Sequence, residues 1–262
     1  MPTGFATRRS LSADLRALGL VPGDAVLVHA ALRKVGRVVG GADTILWALR
    51  DAVGPNGTLL GYTDWRSDDE ALETPALRDH IPPFDPLSSR ATRDNGFFPE
   101  MLRTTPGALR SGNPGASMAA IGGRAAWFVA DHALDYGYGT QSPLGKLVEA
   151  HGKVLMLGAP LDTMTLLHHA EHLADIPHRI KRYESPLLID GRTVWRTFEE
   201  YDTSHAPEGF AEDYFATMVE DFLATGNGRR GSIGAAPSVL VDAAAIVPFA
   251  VDWMERRARS AS

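Results

Sequence analysis

The chain has 262 residues, 44% of them hydrophobic and 22% charged, a composition typical of a globular protein that can bury a sizeable core. It has no cysteine, which excludes disulfides, thiolate catalysis and cysteine-ligated metals. The formal net charge of −6 argues against nucleic acid as a partner and suits a cationic small molecule, and no apolar run is long enough to span a membrane. Because the first residues also lack a signal-peptide pattern, we expect a cytoplasmic location.

The first half of the sequence alternates helical and strand patterns. Apolar residues spaced for one helix face follow Ser10, and residues 25–30 predict a buried strand. A helix over residues 44–53 and a second strand over residues 58–62 follow, separated by turn residues. This order predicts a parallel sheet covered by helices. Because no linker interrupts the chain, we expect one domain over residues 1–262.

The second half is less regular. Residues 65–95 are rich in Asp, Glu and Pro and show little periodicity, which is typical of a long functional or disordered loop. The elements predicted after it are a short helix at 97–103, a strand at 119–122, a helix at 124–132, a helix ending at 150, a strand at 153–158, a helix carrying 168–171, a hairpin at 186–197, and helices at 210–225 and 247–256. The hairpin and the final helices predict a small C-terminal lobe.

A basic, glycine-containing loop follows the first predicted strand. Its cations are Arg33, Lys34 and Arg37, and Gly40 and Gly41 then lead into a helix. Free amides at a helix start can bind phosphate, and nearby cations add charge. The loop matches neither the P-loop nor the dinucleotide-binding pattern. Residues 37–42 resemble the R-x-x-G-x-A pyrophosphate loop of GNAT acetyltransferases, and an ordinary glycine-capped helix start is the alternative.

The segment from Thr165 to His172 carries the clearest chemistry. A helix through it places His168 and Glu171 three residues apart on one face, where a carboxylate can hold one imidazole nitrogen and leave the other as a base. The same residues fit H-x-x-E-H, in which His168 and His172 would bind zinc with Glu171 as base, although no third ligand is evident. A helix face of polar, satisfied histidines is the third interpretation.

Several segments, taken in order, resemble the aminoglycoside 3-N-acetyltransferase family over nearly the whole chain. They are residues 28–36, 40–42, 54–59, 83–86, 110–114, 142–144 and 158–171. The resemblance is closest to members that modify gentamicin-type drugs. It implies acetyl transfer from acetyl-CoA to the 3-amine of the 2-deoxystreptamine ring, which confers resistance. It also implies a three-layer α/β/α sandwich around a mostly parallel central sheet, a fold unrelated to GNAT.

The resemblance also implies roles for individual residues. His168 becomes the general base, oriented by Glu171, and Thr165 is expected to bond the thioester. Candidates for binding coenzyme A are His29, Ala31, Arg33, Lys34, Val35, Gly36, Gly40, Gly41 and Ser111. Candidates for binding the cationic drug, assigned from their positions in the chain, are Tyr62, Asp64, Trp65, Asp69, Glu100, Asp202 and Asp213, and a solvated acidic surface is the alternative for each carboxylate. We expect no metal, and a monomer or homodimer.

The sequence departs from the family pattern at three positions. Asn113 stands where the family often has histidine, Met164 where it often has asparagine, and Ala30 where it often has serine. Three alternatives stay open: a same-fold acyltransferase acting on another amine, a metal-dependent hydrolase built on H-x-x-E-H, and a drug-binding protein without catalysis.

Overall fold

A seven-stranded mixed sheet forms the centre of the computed structural model, which describes residues 4–65, 71–72, 74–203 and 205–261. The strands are β1 (Phe5–Ala6), β2 (Ala25–Ala30), β3 (Arg37–Val38), β4 (Thr58–Tyr62), β5 (Leu109–Arg110), β6 (Met118–Gly122), β7 (Lys153–Leu157), β8 (Ile180–Ile189), β9 (Arg192–Tyr201), β10 (Arg229–Ile233) and β11 (Ala236–Asp242). The order in the sheet is β10-β11-β7-β2-β4-β6-β5.

Strand direction in this sheet agrees with the predicted, mostly parallel sheet. The neighbours β7, β2 and β4 are parallel, whereas β11 and β6 run antiparallel to them. The edge strands β10 and β5 pair antiparallel with β11 and β6, so five of the seven strands point the same way. The strands β8 and β9 form a separate two-stranded ribbon.

Helices cover both faces of the sheet. They are α1 (Arg8–Leu18), α2 (Gly41–Val53), α3 (Phe97–Arg103), α4 (Ala125–Val129), α5 (Pro143–Glu149), α6 (Leu166–Leu173), α7 (Tyr214–Ala224) and α8 (Ala243–Ala261). Side chains alternate along β2, so Val26 and Val28 pack with α1 and α2, whereas Ala25 and Leu27 pack with α5 to α8. Two apolar cores therefore lie on opposite sides of one sheet, as expected for an α/β/α sandwich.

Some elements differ from the sequence prediction. Thr7, rather than Ser10, caps α1: its hydroxyl accepts the Ser10 N–H at 3.2 Å, and Ser10 Oγ accepts the Thr7 N–H at 2.9 Å. The helix predicted at 124–132 ends at Val129, because Ala130 is extended and Asp131 has a positive φ of 52°. The C-terminal segment also contributes the unpredicted hairpin β10–β11 to the central sheet.

The topology places one end of the sheet at the functional residues. The parallel strands β2, β4 and β7 end at Ala30, Tyr62 and Leu157, and the loops that follow them meet at this edge. In open α/β sheets, ligands bind outside the carboxyl ends of the strands. No helix in the described parts of the chain is long and apolar enough to cross a membrane.

Candidate active site

A cleft of about 430 Å³ opens at the carboxyl ends of the parallel strands. The ends of β2 and β4, residues 94–96 and the loop 159–163 form its walls, together with Thr165 and His168. The 3₁₀ helix Leu161–Thr163 and Thr165 lead from this loop into α6. The fold thus presents the first turn of α6 to the cleft.

His168, Glu171 and Tyr214 form a hydrogen-bonded series. Nδ1 of His168 lies 2.6 Å from Oε2 of Glu171, and the Tyr214 hydroxyl donates to Oε1 of the same carboxylate. Burial alone would raise the pKa of Glu171, but the charge and hydrogen bond of His168 and the bond from Tyr214 outweigh it, so the pKa is lowered. Burial and the adjoining carboxylate raise the pKa of Tyr214. Its hydroxyl therefore remains a donor.

The carboxylate fixes which nitrogen of His168 is available to the cleft. An ionised carboxylate only accepts, so Nδ1 must carry the hydrogen and Nε2 of the neutral ring keeps its lone pair. Nε2 makes no hydrogen bond within the described chain, and the ring lies 5.0 Å from Tyr138 and 4.9 Å from Phe215 between centroids. An imidazole held in this way can accept a proton at Nε2.

Thr165 lies one turn before His168 and lines the same cleft. It occupies the N-cap position of α6 but has helical φ and ψ, and its side chain makes no capping hydrogen bond. Helix capping therefore does not explain why a threonine stands at this position. Thr165 and His168 are three residues apart, and both line the cleft.

The other histidines of α6 have structural partners. His169 is buried, and its Nδ1 lies 2.8 Å from the carbonyl oxygen of Tyr138. His172 Nδ1 lies 2.8 Å from the His168 carbonyl, and its Nε2 lies 2.7 Å from Oε1 of Glu200. Zinc bound by His168 and His172 would have to displace a contact of His172, either with the His168 carbonyl or with Glu200. Among the described residues, no group of three or more His, Asp or Glu is placed to hold a metal ion.

We expect that the active protein contains no zinc. Elemental analysis after dialysis against a chelator should find far less than one metal ion per chain with full activity, because both nitrogens of His172 are already bonded. A known zinc enzyme dialysed in parallel controls for recovery. Stoichiometric zinc, with activity lost on its removal and restored on its return, would instead support the hydrolase interpretation.

A second hollow of about 130 Å³, here called the acidic pocket, adjoins the cleft. Its walls include Asp64, Glu200, Trp65, Tyr183 and Lys181, and Tyr62 lines both spaces. The Tyr62 hydroxyl lies 2.6 Å from that of Tyr138, which separates the pocket from the His168 ring. The pocket combines carboxylates with aromatic faces, a lining suited to an amino sugar.

Asn113 also lines the acidic pocket, where the family often has histidine. Its Oδ1 accepts the N–H groups of Gly115 and Ala116 at 2.9 Å, and its Nδ2 donates to the carbonyl of Ala133 at 2.8 Å. An amide with these contacts stabilises the turn and cannot act as a base. Met164, the second departure, is fully buried in the core.

The predicted drug-binding residues are only partly brought together. Tyr62, Asp64 and Trp65 line the acidic pocket, whereas Asp202 lies in a separate hollow that has Glu171 on its wall. Asp213, at the start of α7, and Glu100 line neither the cleft nor the acidic pocket. Asp69 lies outside the described residues.

Glu100 has protein partners for both oxygens. Arg103 and Arg90 pair with it, and the Ala91 N–H donates to it at 3.0 Å. Burial would raise the pKa of Glu100, but the bonds from Arg103, Ala91 and Arg90 outweigh it and lower the pKa to about 2. This carboxylate therefore ties α3 to the preceding loop.

The predicted coenzyme residues mostly follow β2. His29 and Ala31 line the cleft, and burial lowers the pKa of His29 to about 4, which keeps its ring neutral. Arg33, Lys34 and Val35 form a 3₁₀ helix in which both cations are exposed, and Gly36 follows it. Gly40 caps α2 in a left-handed conformation, without a side-chain cap over the amides of Gly41 and its neighbours.

Ser111 lies apart from this group. It is buried after β5, its hydroxyl accepts the Met118 N–H at 2.9 Å, and it lies 2.8 Å from Nδ1 of His132. Nε2 of His132 faces the Gly137 carbonyl at 2.7 Å and must donate to it, so Ser111 donates to Nδ1 of the neutral ring. Ser111 thus joins two loops and does not line the cleft.

Sequence reasoning missed four residues of this site: Asn95, Tyr138, Glu200 and Tyr214. Asn95 donates to Oδ1 of Asp64 and lines the cleft. Among these four, Asn95 alone carried a sequence signal, because it ends the irregular segment 65–95, whose pattern is typical of a functional or disordered loop. The other three are brought to α6 by the tertiary fold.

Comparison with known proteins agrees with this geometry. Residues 27–255 match the sequence model of the family described as Aminoglycoside 3-N-acetyltransferase. Aminoglycoside N(3)-acetyltransferase III from Pseudomonas aeruginosa is 48% identical over 259 residues, which covers 96% of this chain and 94% of that protein. Aminoglycoside N(3)-acetyltransferase VIII from Streptomyces fradiae is 46% identical, with 97% and 93% covered.

Solved structures are similar over the whole fold. The structure described as AAC-IIIb binary with CoASH superimposes with a TM-score of 0.94 at 64% identity and covers 97% of both chains. The structure described as AAC-VIa bound to Sisomicin has a TM-score of 0.92 at 37% identity, covering 97% of this chain and 98% of that one.

Proposed function

Because the chain belongs to the aminoglycoside 3-N-acetyltransferase family, we propose that it transfers the acetyl group of acetyl-CoA to the 3-amine of a 2-deoxystreptamine aminoglycoside, with His168 as general base. The assignment of His168 as the base depends on one observation. Its Nδ1 is bonded to Glu171, which leaves Nε2 available in the cleft. Acetylation of this amine confers resistance. We also propose a cytoplasmic location, where acetyl-CoA is available, and a monomer or homodimer.

The amine requires a base before it can react. Aminoglycoside amines are mostly protonated near neutral pH, and an ammonium has no lone pair for attack on a carbonyl. Nε2 of His168 takes the proton, while Glu171 stabilises the imidazolium that forms. The bond from Tyr214 holds the carboxylate in place during this transfer.

The bond changes balance without a further reactant. The amine nitrogen forms a bond to the thioester carbonyl carbon, and the carbon–sulfur bond breaks to release the thiolate. The ammonium loses two protons in all. The first, taken up by Nε2 of His168, is released to solvent, and the second, taken up by Nε2 as the amide forms, passes to the sulfur and returns the ring to its neutral form. Thr165 lines the cleft and makes no capping hydrogen bond, and in this proposal its hydroxyl donates to the carbonyl oxygen or the sulfur as charge develops.

The walls around His168 carry carboxylates and are therefore suited to a cationic drug. Asp94 and Asp162 line the cleft, and Asp64 and Glu200 line the acidic pocket beside it. Carboxylates in a concave site raise the local concentration of cations and speed their binding. A gentamicin-type drug carries several ammonium groups and is therefore suited to a site lined by these carboxylates.

The loop after β2 is the proposed phosphate site for coenzyme A. Alanine at Arg33, Lys34 and Arg37 together should raise the KM for acetyl-CoA by about tenfold or more, because charge-assisted bonds to phosphate are lost. The KM for drug should change less. The control replaces the exposed Arg256, Arg257 and Arg259 of α8 with alanine, which removes equal charge elsewhere. An unchanged KM for acetyl-CoA in the loop variant would place the phosphates elsewhere.

Thiol release from acetyl-CoA tests the function as a whole. We expect release with gentamicin and sisomicin and none with streptomycin, whose ring carries guanidino groups in place of the deoxystreptamine amines. Release with other amines alone would indicate a same-fold acyltransferase of different specificity. Drug binding without any thiol release would indicate a non-catalytic binding protein.

A further inference from the structure

Among the described residues, one oxygen of the Glu200 carboxylate has hydrogen-bond partners and the other has none. Glu200 lies near the end of β9, is 8% exposed, and lines the acidic pocket. Its Oε1 faces Nε2 of His172 at 2.7 Å and accepts the Tyr201 N–H at 2.8 Å. Its Oε2 has no hydrogen-bond partner within the described chain. Oε2 is therefore the oxygen of this buried carboxylate that is open to the acidic pocket.

His172 holds this carboxylate from the catalytic helix. Its Nδ1 faces the carbonyl oxygen of His168 at 2.8 Å, and its Nε2 faces the Glu200 carboxylate. The hydrogen bond to Glu200 offsets part of the cost of burying the carboxylate, and the two contacts fix the ring between α6 and β9. His172 is thus a rigid support rather than a solvated side chain.

We infer that Oε2 of Glu200 binds an ammonium group of the substrate other than the reacting amine, and that His172 is the residue that positions it. The inference rests on the proposed function. The Tyr138 ring, which lines the acidic pocket, lies 5.0 Å from the His168 ring. A polyamine with one amine at His168 therefore reaches this pocket with a neighbouring group. Asp64 and Lys181 line the same pocket, and Lys181 lies opposite Glu200 in the hairpin.

Replacement of Glu200 by glutamine gives a specific expected result. The backbone N–H of Tyr201 is a fixed donor, so the amide oxygen of Gln stays on it, and the amide NH₂ turns to the pocket and meets the ammonium. In E200Q we expect the KM and Kd for gentamicin to rise by about tenfold to a hundredfold. The KM for acetyl-CoA should not change. Glu200→Asp, which keeps the charge but shortens the side chain, should have a smaller effect and serves if E200Q does not fold.

Glu199 provides a matched control on the same strand. Its side chain points to the opposite face, where Oε1 pairs with Arg182 at 2.9 Å and Oε2 accepts from the Tyr136 hydroxyl at 3.2 Å. Glu199→Gln removes the same charge and should leave the Kd for gentamicin unchanged. An equal rise in Kd for E199Q and E200Q would mean that net charge alone is responsible, and would overturn the inference.

The role of His172 is tested separately. His172→Ala should raise the KM for drug without raising that for acetyl-CoA, and His172→Gln, whose amide can still donate to Glu200, should recover part of the loss. A purely structural role would instead lower the melting temperature and affect both substrates alike in both variants.

Calorimetric titration with gentamicin alone tests the inference about Glu200 separately from the proposed function. Absence of thiol release by the wild type would refute the proposed function, whereas the Kd comparison between wild type and E200Q needs no catalysis. A wild-type protein that acetylates gentamicin, together with an E200Q Kd equal to that of the wild type, would overturn the inference and leave the function intact.

Discussion

The His168→Gln variant should lose about 10²- to 10⁴-fold in kcat, the usual range for removal of a general base. Gln offers a nitrogen donor or a carbonyl acceptor near the same position, but neither takes up a proton near neutral pH. The KM for acetyl-CoA should stay close to that of the wild type, because the proposed coenzyme contacts lie on the loop after β2. Steady-state kinetics with gentamicin as acceptor provides both constants.

His169→Gln is the control for this variant. His169 lies on the same helix but is buried and bonded to the Tyr138 carbonyl, away from the cleft. Its replacement should affect stability more than kcat, which thermal unfolding and kinetics can separate. If H169Q lost the larger share of kcat and H168Q stayed near wild type, the assignment of the base would be wrong.

The Glu171→Gln variant should lose about 10²-fold in kcat, less than loss of the base itself. Glu171 has a donor on each oxygen, Tyr214 on one and His168 on the other. With Gln, the carbonyl oxygen satisfies the buried Tyr214 hydroxyl, so the amide NH₂ faces Nδ1 of His168. Nδ1 then becomes the acceptor and Nε2 carries the hydrogen, the wrong tautomer for a base.

A second substitution tests this tautomer argument. In Glu171→Gln with Tyr214→Phe, no hydroxyl constrains the amide, so its oxygen can accept from Nδ1 and part of the lost kcat should return. Tyr214→Phe alone should cost little, because Glu171 remains ionised and bonded to His168. Double-variant kinetics no better than those of E171Q would show that tautomer choice does not explain the loss.

Local spacing was sufficient for the central pair of the site. His168 and Glu171 are three residues apart on α6, so a correct helix prediction brings them together. The alternation of strand and helix patterns likewise predicted β2, α2 and β4 and their parallel pairing. These features depend on contacts between residues that are close in sequence, or on rules of chain connection that hold for most α/β folds.

Features that depend on distant segments could not be predicted from spacing. Tyr214 reaches Glu171 across 43 residues, and Glu200 reaches His172 across 28. The hairpin β10–β11 has weak strand patterning, with Pro237 inside it, and exists because β11 pairs with β7. Ser10 has the residue type of a helix cap, but it is the third residue of α1, which begins at Arg8 and is capped by Thr7.

The position of the transferred acetyl group tests the central claim most directly. Gentamicin treated with acetyl-CoA and the wild-type protein should give one product, and two-dimensional NMR should place the acetyl group on the 3-amine of the deoxystreptamine ring. Coenzyme A should be released in equal amount. An acetyl group on a different amine, or free acetate with unmodified drug, would contradict the account.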